Sequence, residues 1–129
     1  MRRYGKYIVT VLFLLLQITW ICPETVRAEE DASGFQYEIS NNEIIIKDYL
    51  GNAARIEIPD EIDGMPVTLI ADKAFYGAKA GEVVIGANVG VIEAGAFEFM
   101  DNLTVLRFKD SKKELKIRSW AFYGCTNLS

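Results

Sequence analysis

The chain has 129 residues, 50% hydrophobic and 25% charged, with a formal net charge of −4, no histidine and two cysteines. That length accommodates one domain. The missing histidine excludes Ser-His-acid and Cys-His catalysis and removes the commonest metal ligand, while the acidic balance disfavours electrostatic capture of nucleic acid or anionic lipid.

In chain order, the first element is an export signature. Arg2, Arg3 and Lys6 precede an uncharged apolar run, Ile8 to Ile21, then Pro23, then Val26-Arg27-Ala28. The pattern predicts a secretory signal over residues 1–28, cleaved after Ala28, with an uncleaved anchor as the alternative. The run is short for a bilayer span, and the bulky Trp20 and Ile21 ahead of Cys22 disfavour a lipoprotein signal. Removing residues 1–28 leaves ten bases, seventeen acids and the single Cys125, so no internal disulfide can form. Residues 29–34, Glu-Glu-Asp-Ala-Ser-Gly, are expected to form a flexible leader.

From residue 35 the pattern turns to strands. Phe35, Tyr37 and Ile39 alternate with polar residues, Asn41-Asn42 supplies a turn, and Glu43 to Tyr49 returns as a second strand. After Leu-Gly-Asn, residues 54–59 read as a third strand, so residues 35–58 are expected to form a β-meander. Residues 35–66 then act as an N-terminal β cap over the first coil of a stacked array.

Residues 67–129 carry a repeat. Ile70, Ile92 and Ile117 each stand five positions before Phe75, Phe97 and Phe122, and Ala74, Ala96 and Ala121 fill the slot before each Phe. The Phe spacings, 22 and 25, fall in the range of solenoid periods. Successive coils of a solenoid lie roughly 4.8 Å apart, so equivalent side chains pile into ladders. A ring in such a ladder removes on the order of 150–250 Å² from water, worth ~4–6 kcal/mol before entropy costs. The Ala slot is a tight point where only a methyl fits, so Ala96→Leu should disturb folding more than Glu98→Leu. Ile, Ala and Phe at this spacing also share a helical face, but Gly77, Gly95 and Gly124 disfavour a long helix. The expected fold is a mainly β solenoid, α+β in its short helical turns around each Ala-Phe, with parallel strands at Glu82–Ile85 and Leu103–Phe108.

On these residues the chain resembles the BspA-like leucine-rich repeat family of bacterial and protist surface proteins. The opening segment matches through Tyr49, Gly51, Ile58-Pro59, Ile62, Gly64, Pro66-Val67 and Ile70. The repeats match through Ala-Phe, then Met100 or Cys125, then Leu103 or Leu128 three residues on. Ala78 departs from the Cys slot, residues 109–115 carry about two extra residues, and the third copy stops at Ser129. The apolar face around Phe122, Cys125 and Leu128 is therefore expected to be covered by further repeats or by a partner chain. The resemblance implies a secreted or cell-surface protein that adheres to host or neighbouring-cell proteins. A structural spacer within a longer surface protein is the alternative.

No enzyme, cofactor or metal is expected. Asp60, Glu61 and Asp63 read as an acidic turn beside Gly64 rather than a cation site, and Cys125 reads as a small core hydrophobe. Strand alternation turns Glu82, Val84, Thr104, Arg107 and Lys109 away from the core, which makes them candidate contacts for an extracellular protein partner. Trp120, in the slot of Lys73 and Gly95, reads either as a contact anchor or as packing surface for a further coil. Tyr76 and Tyr123 share one slot and read as structural.

Overall fold

A computed structural model describes residues 27–129; the expected signal segment lies outside the described residues except for its last two. Ten strands form: β1 (Arg27–Glu30), β2 (Phe35–Ser40), β3 (Glu43–Tyr49), β4 (Arg55–Glu57), β5 (Glu61–Ile62), β6 (Met65–Ile70), β7 (Glu82–Ile85), β8 (Val91–Ile92), β9 (Val105–Phe108) and β10 (Lys116–Ile117). They make two sheets. One runs β1-β2-β3-β6-β8-β10, with β5 paired to β6; the other runs β4-β7-β9. Along the path from β3 through β6 and β8 to β10, and throughout the smaller sheet, the pairing is parallel. The chain therefore winds as a β-solenoid, each winding giving one strand to each sheet: β3 with β4, β6 with β7, β8 with β9, then β10.

Register makes the core. In the larger sheet Ile46, Ile70, Ile92 and Ile117 form one inward column, and in the smaller sheet Ile56, Val83 and Leu106 form another. The rings of Phe75 and Phe97 stack at 4.9 Å and 10°, those of Phe97 and Phe122 at 5.1 Å and 3°. Above them, Tyr49 lies 5.4 Å from Phe75 and Phe35 lies 6.1 Å from it, so two rings from the first strands finish the column. Ala74, Ala96 and Ala121 are 2% exposed or less. Asn side chains tie the windings together: Asn102 donates to the Lys79 carbonyl, and Asn127, in the same slot, to that of Asp101.

Three sequence expectations change. The Ala-Phe segments are not helical turns, and no helix forms among the described residues. Lys73, Gly95 and Trp120, all in one slot, take left-handed φ values of 57°, 64° and 65°, which a right-handed helix cannot contain. The Phe75 N–H also points out of its own segment, donating to the Ala96 carbonyl of the next winding at 2.8 Å, and Phe97 N–H likewise to Ala121. A third ladder of backbone bonds thus runs along the corner, using donors that a helix would have turned inward.

Residues 35–66 do not form a separate meander cap. β2 and β3 pair as an antiparallel hairpin through Asn41 and Asn42, both left-handed at φ 52° and 59°, the geometry of a type I′ turn. The third strand leaves them: β4 joins the other sheet beside β7, because Ile56 and Ile58 are buried only by facing that side of the core. Residues 29–34, read as a flexible leader, hold hydrogen-bonded structure. Glu29 and Glu30 pair with Tyr37 and Gln36, and the Asp31 carboxylate accepts the N–H groups of Ser33 and Phe35. No helix among the described residues is long and apolar enough to cross a membrane.

Candidate functional site

The outer face of the smaller sheet collects most of the expected contact residues. Arg55, Glu82 and Val105 form one outward column; Glu57, Val84 and Arg107 form the next. Arg107 Nε reaches Glu82 at 3.1 Å, Glu82 also faces Arg55 at 3.6 Å, Arg55 faces Glu57 at 3.7 Å, and Lys109 sits between Glu57 at 3.0 Å and Asp60 at 3.6 Å. Six charges, three of each sign, close on one another. Each exposed pair is worth only about 0–1 kcal/mol, but a charged ligand would have to displace a partner already in place. The hydrogen bond to Glu57 raises the Lys109 pKa, against the opposing effect of desolvation. Val84 lies on the outer face as alternation requires, yet it is only 6% exposed, sitting between Glu57 and Arg107 in its column. Thr104 Oγ1 donates to the Gly81 carbonyl of the previous winding, which occupies its hydroxyl in coil-to-coil bonding.

Trp120 is elsewhere, on the corner between the sheets, and it has company. Tyr76, Phe99, Tyr123 and Trp120 are 54%, 38%, 49% and 68% exposed. Their rings meet edge to face in an unbroken row: Tyr76 to Phe99 at 5.6 Å, Phe99 to Tyr123 at 5.5 Å, Tyr123 to Trp120 at 5.0 Å. Tyr76 and Tyr123 stand in the same slot of their windings, where the middle winding has Glu98. The missing ring is supplied one residue later by Phe99, whose φ of 58° is left-handed, in a slot where the neighbouring windings have Gly77 and Gly124. Trp120 is left-handed as well. Bulky residues in this region cost roughly 1–2 kcal/mol each, and strain of this kind clusters at functional sites. Sequence reasoning found Trp120, took Tyr76 and Tyr123 as structural and passed over Phe99; an aromatic in a glycine slot was the signal available.

Residues 68–129, most of this wound region, match the family described as a BspA type leucine rich repeat region (6 copies). Residues 68–129 are BspA-type leucine-rich repeats. A leucine-rich repeat protein from Bacteroides capillosus shares the fold, with a TM-score of 0.71 at 23% identity, over 79% of this chain and 78% of that one. The T. pallidum leucine rich repeat protein gives 0.69 at 34% identity, over 78% and 48%. A leucine rich cell surface protein from Faecalibacterium prausnitzii gives 0.71 at 29%, over 84% and 31%. The chain thus spans less than half the length of the last two. No curated protein matches it.

Within the leucine-rich repeat, Ala78, Met100 and Cys125 share the slot after Ala-Phe. Met100 is fully buried, and the Cys125 thiol donates to the Phe97 carbonyl at 3.0 Å. Burial pushes that thiol above its ordinary pKa, outweighing the backbone of Met100, so the repeat holds it as a neutral thiol. In the acidic turn, the Asp60 carboxylate accepts the Ala87 N–H at 2.8 Å while facing Lys109. Among the described residues no group of three or more potential ligands is placed to hold a metal ion.

Proposed function

We propose that this leucine-rich repeat protein is a protein-interaction module displayed outside the cell, where it adheres to proteins of a host or of neighbouring cells. The observation that carries this reading is the exposed aromatic row on the repeat corner. Tyr and Trp are enriched among the residues that dominate protein interfaces, and stacked windings hold these rings at fixed intervals, so binding loses little entropy to ordering them. Export is read from Arg2, Arg3 and Lys6 ahead of the apolar run Ile8 to Ile21, and the resemblance to a cell-surface protein of Faecalibacterium prausnitzii supports the location. Phe108 and Ile117, at the end of their inward columns, are 46% and 50% exposed, and Phe122 is half-buried. We take this end face to be covered by a further repeat or by a partner.

The test is attachment of bacteria displaying the protein to immobilised extracellular-matrix proteins. Phe99→Gly with Trp120→Gly should lower attachment severalfold, whereas Arg107→Glu with Lys109→Glu, on the self-paired sheet face, should leave it nearly unchanged. Full attachment by all variants would favour the alternative role, a structural spacer.

A further inference from the structure

Two carboxylates converge beside the aromatic row. A Cβ placed on Gly95 would lie 3.0 Å from Glu98 Oε2, 3.4 Å from Asp72 Oδ1 and 3.5 Å from Lys73 Cγ, so acids from adjacent windings approach one point along the stem of Lys73. Gly95 shares its slot with Lys73 and Trp120, which sets that point between them on the same corner. Neither carboxylate is engaged in a hydrogen bond or ion pair among the described residues. Other charges on this corner are engaged: Lys79 with Asp101 at 3.8 Å and Arg118 with Glu93 at 3.8 Å. The Lys73 ammonium lies instead 5.9 Å from the centroid of the Tyr76 ring, so a ring of the row already faces a cation.

We propose that the row of Tyr76, Phe99, Tyr123 and Trp120, with Asp72 and Glu98, is a docking surface for an arginine-bearing segment of a partner protein. The proposal rests on the protein-interaction reading above and names the chemistry of the partner. Guanidinium fits both halves of the surface: its plane lies against aromatic faces, and its fork of donors meets carboxylates. Lysine offers a point charge without the planar stack. The acids repel phosphate, which excludes nucleic acid as the occupant. Neighbouring rings stand 72° to 84° apart, so they offer no continuous flat platform for successive sugar rings. The excess of acids over bases across residues 29–129 adds long-range attraction for a basic partner.

Fluorescence anisotropy of a labelled Arg-Ser repeat peptide against the full chain tests this, with Lys-Ser and Gln-Ser peptides and a cello-oligosaccharide as comparators. The Arg-Ser peptide should bind saturably and about tenfold more tightly than the Gln-Ser peptide. Phe99→Gly and Trp120→Gly adopt the residues found in sister windings, leave the buried column untouched and should each lose about that factor. Asp72→Asn with Glu98→Gln should weaken binding and flatten its salt dependence. Equal affinity for the Gln-Ser peptide, unchanged Arg-Ser binding by both aromatic variants, or preference for the oligosaccharide would each overturn the proposal. If Arg-Ser binding fails while the aromatic variants still lose attachment, the interaction reading survives and the arginine assignment falls. If Arg-Ser binding depends on the row while attachment does not, the reverse holds.

Discussion

Replacing Phe97 by Ala removes the middle ring of the buried column. The side chain is fully buried and has a parallel ring on each side, at 4.9 and 5.1 Å. Phe→Ala changes in such cores cost about 3–5 kcal/mol, a large part of the roughly 5–15 kcal/mol that holds a domain of this size together. Phe122 is half-buried and has a stacked ring on one side only, so its loss should cost about half as much. In urea, with a slope of about 2 kcal/mol/M, the midpoint should fall by about 2 M for Phe97→Ala and about 1 M for Phe122→Ala. Circular dichroism on both variants and the parent measures this directly. Equal shifts, or a shift for Phe97→Ala below about 0.5 M, would mean that the column is not what stabilises the stack.

Ala96→Leu inserts three carbons at a point with no exposed surface, beside the carbonyl that accepts the Phe75 N–H; it should cost about 1–3 kcal/mol by urea titration. Glu98→Leu, half-exposed one residue past Phe97, should cost less than about 1 kcal/mol. Alkaline pH should destabilise the fold. Tyr37 is raised by burial and by its hydrogen bond to Glu29, Cys125 by burial, and Lys109 by its bond to Glu57. In each case the folded chain holds the proton more tightly than the unfolded one, so stability should be level below about pH 8 and fall as pH climbs through the thiol, phenol and ammonium ranges. Tyr37→Phe should make that fall shallower, and stability that rises between about pH 9 and 11 would contradict the assignment.

The column of rings was legible in the sequence because a solenoid turns an equal spacing into an equal position: Ile, Ala and Phe recur together, and every copy must meet its counterpart. The parallel pairing of Glu82–Ile85 with the strand one winding on followed for the same reason, since equivalent segments of successive windings meet. The corner was misread because the helical and turn patterns share the Ile-Ala-Phe spacing. What separates them is the left-handed residue between Ile and Ala, and Lys73 and Trp120 do not announce that conformation as Gly95 does. The meander failed at β4, where alternation says which side of a strand is buried but not which sheet it joins. Of the surface, Glu82, Val84 and Arg107 were readable from period two, whereas the remaining outward place on β9 belongs to Val105 and not to Thr104, which precedes the strand. That Glu82 and Arg107 would neutralise each other across windings was not readable, because register is set by loops of unequal length.

The geometry of each corner is dictated by amide-to-carbonyl bonds running from one winding to the next, from Phe75 to Ala96 and from Phe97 to Ala121. The side chain mounted there makes none of those bonds, and a lysine, a glycine and a tryptophan all stand at the same station. Such a position can change identity without remodelling the interior, within what its left-handed backbone tolerates. If the corner binds a partner as proposed, a chain built this way can alter that surface one vertex at a time, with a local cost for each.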